Sequence, residues 1–423
     1  MHTFLDISRL LHAAWRATPT GIDRVELAYA RRIAGAPPGT VTFVAEIPLI
    51  GFTALPGALV RDMVAQLHAA WDGGGPLPTA LARRLRLAQP FGRGALLEAF
   101  ARPGHKVFLL VSHRALDRPV AVTAIRRHGC HFVPLIHDLI PLQHPEYARP
   151  GQREAHRARV QTTATLADAV IVNSAATEAE LKPWLALRPE PLPIAVAPLG
   201  VAPPQVALPP VALRPYFVIL GTIEPRKNHL LLLNLWRQFA ASLGAAAPRL
   251  VVVGRRGWEN ENILDMLDRC AALDGLVREA GSLPDREVAS LLRGARALLF
   301  PSFAEGFGLP LAEALALGVP AICSDLPALR EVGQKVPDYL DPLDGAAWRA
   351  AVLDYARPDS LARRNQLNRM PGWRAPTWDE HFAKVEEMLA SLGAPSANPA
   401  SARHAVTPRS PALLSARRDE GPL

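Results

Sequence analysis

A chain of 423 residues, 49% hydrophobic and 20% charged, has a globular composition and length enough for two domains of ordinary size. Its formal net charge of +8 favours anionic partners, but the arginines are scattered. No zinc-finger spacing, RNA-binding aromatic signature or helix-turn-helix is present, so no nucleic-acid partner is expected.

Three widely spaced cysteines, Cys130, Cys270 and Cys323, give neither a disulfide framework nor a metal motif and fit a reducing compartment. The opening MHTFLDISRL lacks the basic segment and long apolar core of a signal peptide. No apolar stretch reaches about 18 residues, so no transmembrane helix is expected.

In chain order, TFLDIS reads as a strand, GIDRVELAYARRIA as a helix with apolar Ile22, Val25, Leu27 and Ala28, and VTFVAEIP as a strand. Residues 56–105, rich in Ala, Leu and Arg with glycine breaks, predict helices and mobile loops. HKVFLLVS and HFVPLIHDLIP read as strands, ARVQTTATLA as a helix, DAVIVNS as a strand, AATEAELKPWLA as a helix capped by Ser174, and PIAVAPLGV as a strand. The proline-rich residues 205–215 then read as a linker. Beyond it YFVILGT, RLVVVG, VREAGSL, ALLFPS and PAICSD are strands, with helices between them.

Alternating strand and helix predicts an α/β protein with parallel sheets and crossover helices. Two such halves predict two Rossmann-like domains facing across a cleft, over residues 1–204 and 216–375. Residues 376–392 form an amphipathic helix begun by Thr377, with Glu380 placed for a capping box. It is expected to return to the N-terminal domain. Residues 393–423, rich in Pro, Ser, Ala and Arg, read as disordered.

Four segments carry candidate chemistry. In PSFAEGFGLPLAEALALGVPAICSD, strand, glycine turn, helix and strand follow one another, with Glu305 in the turn and Glu313 in the helix. Such a helix start offers free N–H groups and a positive dipole end to phosphate; the plain alternative is a helix-start charge and a buried salt bridge. In GTIEPRKNHLLLL, Arg226 and Lys227 stand where a strand gives way to a helix, a position that suits a diphosphate or, alternatively, a solvated basic pair. In VPLIHDLIP, His137 follows a strand and suits a sugar-hydroxyl contact, a general acid/base or a structural role. In TPTGIDRVE, Gly21 opens a helix and allows close backbone approach.

The EGFGLPLAEALALGVP segment resembles the glutamate, seven-residue gap, glutamate signature of retaining family-4 glycosyltransferases of the GT-B fold. ILGTIEPRKNHLLLL, VVVGRRGWENENIL and TGIDRVELAYA match in order and spacing, and the resemblance covers most of residues 3–390. It implies that Glu305 lies close to the transferred sugar and that Phe307 and Gly308 present N–H groups to sugar hydroxyls. Leu309 would reach the diphosphate, Glu313 would accept from the ribose hydroxyls, and Arg226 and Lys227 would bind the leaving diphosphate. Gly21 would approach that diphosphate from the other domain, and His137 would stand on the acceptor side.

The resemblance also implies a nucleoside-diphosphate sugar donor, with GDP-mannose suggested by similarity to transferases of bacterial surface polysaccharide assembly. It implies a glycan or lipid-linked glycan acceptor and no metal or other cofactor. The setting would be cytoplasmic, with peripheral contact to an anionic membrane. The alternative is a non-catalytic nucleotide-sugar-binding scaffold. Residues 51–104 carry no acceptor signature.

Overall fold

The structure, a computed structural model, describes residues 1–393 apart from residues 38, 187, 205 and 207–213. The predicted linker at 205–215 lies for the most part, and the predicted disordered tail almost entirely, outside the described residues.

The N-terminal sheet contains β1 (His2–Asp6), β2 (Val41–Ile47), β3 (Gly51–Ala54), β4 (Lys106–Leu110), β5 (Cys130–Ile136), β6 (Val170–Val172) and β7 (Ile194–Val196). Their spatial order is β3-β2-β1-β4-β5-β6-β7. The C-terminal sheet contains β8 (Tyr216–Leu220), β9 (Arg249–Val253), β10 (Val277–Gly281), β11 (Leu298–Phe300), β12 (Ala321–Ser324) and β13 (Asp338–Leu340), in the order β10-β9-β8-β11-β12-β13. Helices cover both faces, so central strands such as β1 are buried along their whole length. This is why they read as continuous apolar runs rather than as alternating patterns.

The helices predicted within residues 56–105 occupy Gly57–Gly73, Thr79–Ala88 and Arg93–Ala101, joined by short connections. Two local readings are corrected. Strand β3 pairs antiparallel with β2, so the N-terminal sheet is not wholly parallel. The strand predicted over HFVPLIHDLIP ends at Ile136, and Ile140–Gln143 is helical. Pro141, in the first turn of that helix, cannot donate to a sheet ladder and suits a helix start instead.

In each sheet the strand order reverses, around β1 in the first and β8 in the second. In open α/β sheets ligands bind beyond the carboxyl ends of strands at such a switch point. The two switch points face each other. The helix Trp378–Leu392 crosses back to the N-terminal domain: the Tyr29 hydroxyl and His381 Nε2 are 2.8 Å apart, and His381 Nδ1 donates to the Ala197 carbonyl at 3.0 Å.

Candidate functional site

Between the domains lies a cleft of about 840 Å³. It is lined by the segments that leave β1, β4, β5, β8, β9, β10 and β11. Gly21, His137, Arg226, Lys227, Glu305, Phe307, Gly308, Leu309 and Glu313 all border it.

The C-terminal wall is built on two loops. After β8 the chain makes a 3-10 turn, Pro225–Lys227, and Asn228 takes a left-handed conformation (φ 56°) before the helix His229–Leu243 begins. That turn sends Arg226 and Lys227 inward, so they are not a solvated pair: their side chains are 17% and 10% exposed. After β11, residues 301–308 bring Glu305 to them. Lys227 Nζ donates to Glu305 Oε1 at 2.5 Å, and Arg226 Nη1 lies 3.1 Å from the same oxygen. Arg226 Nε and Nη2 donate to Glu224 at 3.0 and 2.8 Å. Backbone ties the loops together, the Phe303 amide donating to the Arg226 carbonyl at 2.9 Å.

Burial opposes the Glu305 charge, but Arg226 and Lys227 outweigh it and hold this carboxyl down at about 2, so it is ionised at neutral pH. Burial and the adjacent Arg226 charge lower the Lys227 ammonium, while Glu305 and Glu224 pull it back up.

The helix Leu309–Ala316 starts at Gly308, whose φ of 99° favours glycine; a Cβ there would also stand 2.4 Å from Leu329 Cδ2. No side chain caps this helix. The amides of Phe307, Gly308 and Leu309 have no hydrogen-bond partner among the described residues. They are donors available to an anion or a hydroxyl at a positive helix end. Glu313, one turn further, borders the cleft, and its carboxylate has no hydrogen-bond partner among the described residues. Burial raises its carboxyl above the ordinary value, Arg24 works against that rise, and Asp285 adds to it.

The N-terminal wall comes from the start of the helix Gly21–Ala34. Thr20 and Asp23 form a capping box, and the fully buried Asp23 carboxylate also accepts from Arg9 Nε at 2.6 Å and Arg16 Nη1 at 3.2 Å. Trp71 Nε1 donates to the Arg16 carbonyl at 2.9 Å and fixes the preceding loop. Gly21 faces the other wall: a Cβ on it would meet Leu309 Cδ1 at 3.5 Å.

His137 Nε2 donates to the Val111 carbonyl at 2.8 Å, which leaves Nδ1 as an acceptor. Burial lowers its pKa to about 4, so the ring is neutral at neutral pH and is not a resting proton donor in the general-acid sense. Its ring packs edge-on to His113 at 5.2 Å.

The walls are joined by contacts that sequence reasoning missed. Arg24 Nη1 and Nη2 donate to the two oxygens of Asp285 at 2.5 and 2.6 Å. Ser174 Oγ donates to the Gly306 carbonyl at 2.7 Å, and the Glu331 carboxylate accepts from the Ala175 amide at 2.8 Å. A Cβ on Gly306 would stand 2.2 Å from the His137 carbonyl oxygen, so only glycine allows this approach. Of the missed residues only Glu224 had a local signal, two positions before Arg226. The rest are partnered across more than 100 residues of sequence. Among the described residues no group of three or more His, Cys, Asp or Glu side chains is arranged to hold a metal ion.

Two Rossmann-like domains around such a cleft define a protein of the GT-B type. Solved structures of that architecture superpose over nearly the whole chain. Sucrose-phosphate synthase from Thermosynechococcus elongatus matches with a TM-score of 0.62 at 18% identity, covering 93% of this chain and 99% of that one. Anabaena HepE in complex with UDP-glucose matches with a TM-score of 0.63 at 15% identity, covering 92% and 100%. At these identities the likeness shows the fold.

Residues 209–335, within the C-terminal domain, match the family model described as glycosyl transferases group 1. Over 145 residues the chain is 37% identical to O-antigen chain mannosyltransferase B of Escherichia coli, covering 34% of this chain and 38% of that protein. Over 280 residues it is 29% identical to the serotype-specific mannosyltransferase WbdA of Escherichia coli, covering 59% of this chain and 34% of that protein. The matches therefore span little more than a third of the length of these relatives.

Proposed function

We propose that this protein is a retaining glycosyltransferase. It would move a sugar from a nucleoside-diphosphate sugar to a glycan or lipid-linked glycan in bacterial surface polysaccharide synthesis. The observation that carries the reading is the meeting of Glu305 with Lys227 and Arg226 beside the uncapped start of the helix Leu309–Ala316. The mannosyltransferase relatives support mannose as the sugar, and GDP-mannose is the proposed donor.

In this reading the diphosphate lies against Arg226, Lys227 and the amide of Leu309, with Gly21 opposite. Departure of the sugar builds negative charge on the diphosphate, and these donors, already fixed in a partly dry cleft, stabilise it. Positive charge developing on the sugar is balanced by the ionised Glu305. Glu313 takes the ribose hydroxyls, and Phe307 and Gly308 offer N–H groups to the sugar. His137, neutral and with Nδ1 free to accept, orients a sugar hydroxyl. The acceptor hydroxyl attacks on the face the diphosphate leaves and passes its proton to the departing diphosphate oxygen, so configuration is retained.

The cations supply the charge that a metal would otherwise supply, and turnover in EDTA is expected. The protein would work in the cytoplasm with peripheral contact to the membrane; no described helix is long and apolar enough to cross one.

The test is turnover of a panel of GDP-, UDP-, ADP- and dTDP-sugars, with and without EDTA, followed by NMR of the product's anomeric centre. No turnover with tight sugar-nucleotide binding would favour the scaffold alternative. An inverted product would remove the same-face mechanism.

A further inference from the structure

We propose that the N-terminal wall of the cleft holds a phosphate group carried by the acceptor. This rests on the glycosyltransferase reading and names its acceptor class. Six arginines of the N-terminal domain border the cleft: Arg24, which is paired with Asp285, and Arg9, Arg16, Arg114, Arg149 and Arg159. Arg9 and Arg16 share one carboxylate, Asp23. Arg114, Arg149 and Arg159 make no ion pair among the described residues. Arg114 Nη2 meets His12 Nε2 at 3.0 Å, and Arg149 lies over the Trp258 ring at 4.7 Å. The Nε atoms of Arg114 and Arg159 are buried without a hydrogen-bond partner.

Asp138 is the other carboxylate of this wall; it accepts from the Ile140 amide at 3.1 Å and is felt by Arg159. From the opposite domain Arg255 enters the same space. Burial and the charges of Arg16, Arg149 and Arg9 pull it below its ordinary value, against the opposing pull of Asp23. Burial likewise lowers Arg159, with Asp117 and Asp138 only partly offsetting it. Like charges are thus gathered beside an open cavity with too few carboxylates to neutralise them.

The donor diphosphate does not account for this arrangement, because its proposed charged ligands, Arg226 and Lys227, and the helix start lie on the other wall, and on this wall it would meet only the backbone at Gly21. Two of them stand on the His137 side of the cleft: Arg9 bears electrostatically on His137, His113 and Arg159, and Arg159 on His113 and His156. Guanidinium forks converging from several directions suit a tetrahedral oxyanion, which offers paired oxygens to each. A phosphomonoester or phosphodiester on the acceptor would relieve the repulsion and set the reacting hydroxyl near His137.

The test uses the full chain with the donor site filled by GDP or, in parallel, UDP. Glycerol 3-phosphate is titrated, with glycerol as the uncharged control. Phosphatidylcholine vesicles with and without phosphatidic acid are tested beside it. The same titrations are run on the free protein.

Glycerol 3-phosphate, and not glycerol, should bind the nucleotide-filled protein. Arg159→Gln and Arg114→Gln should each weaken that binding about tenfold to a hundredfold, the loss of a charged hydrogen bond. Arg159→Lys should restore part of it. Nucleotide affinity and the melting temperature of the free protein should stay close to wild type. Binding to the acidic vesicles but not to glycerol 3-phosphate assigns the phosphate to a lipid headgroup, and the reverse assigns it to a soluble or glycan phosphate.

Absence of phosphate binding in both arms, equal binding by the variants, or nucleotide affinity falling in step with it overturns the proposal. The last outcome would give these arginines to the donor. Failure of both GDP and UDP to bind overturns the glycosyltransferase reading instead, and the titrations of the free protein keep the two failures apart.

Discussion

Glu305→Gln should destabilise the unliganded protein, and nucleoside diphosphate should offset part of that loss. Glu305 is 9% exposed and pairs with Lys227 at 2.5 Å and Arg226 at 3.1 Å. Burial alone would raise its pKa; the two cations instead bring it from 4.5 to about 2. At about 1.36 kcal/mol per pKa unit this is on the order of 3 kcal/mol of stabilisation. Breaking one side of a buried ion pair typically costs about 3–5 kcal/mol, which agrees.

The folded pKa lies below the unfolded one. The contribution is therefore fully present above pH 4.5 and is lost as pH falls toward 2. The gap in stability between wild type and variant should close over that window. For a domain of about 150–250 residues, 3 kcal/mol lowers the melting temperature by about 6–12 °C. A diphosphate restores negative charge beside Lys227 and Arg226, so GDP or UDP should raise the variant's melting temperature more than the wild type's. Meanwhile kcat should fall about a hundredfold to a thousandfold. Calorimetry between pH 2 and 7, with and without nucleotide, reads all of this. A variant as stable as wild type at pH 7 would refute the buried ion-pair argument. A smaller nucleotide shift in the variant would refute the placement of the diphosphate on these cations.

Glu313→Gln should raise the dissociation constant of free nucleoside diphosphate and of the sugar nucleotide alike, by about tenfold to a hundredfold; an effect on kcat alone would remove Glu313 from the ribose. Arg24→Ala removes both charged hydrogen bonds to Asp285. It should favour an open arrangement of the domains, visible as a larger radius in small-angle scattering and a raised KM; an unchanged radius and KM would show that the pair does not hold the walls together. Gly306→Ala puts a Cβ 2.2 Å from the His137 carbonyl oxygen. It should lower kcat/KM about a hundredfold through misplacement of the walls, with nucleotide binding nearly intact; wild-type turnover would show that this approach is not needed for reaction.

The sequence by itself determined most of the strands and the α/β alternation. Strands covered on both faces, such as β8 (YFVIL) and β9 (RLVVV), must be apolar throughout, and this is visible without any partner. It also determined the helix starts with local chemistry, Ser174 and Thr377, because a cap is made within three residues.

What depends on distant partners was decided only by the tertiary structure. Strand β3 carries GFTA, four residues that become a strand only by pairing with β2. His137 reads locally as the end of a strand, and its neutral state follows from burial and the Val111 carbonyl. Arg226 and Lys227 read locally as a basic pair at a helix start. Their inward course follows from the 3-10 turn, and their pairing with Glu305 spans 78 residues. The same holds for Arg24 with Asp285, 261 residues apart. Such contacts leave no periodicity or spacing in the chain, because they are fixed by how the two sheets face each other and by burial, which only the assembled fold supplies.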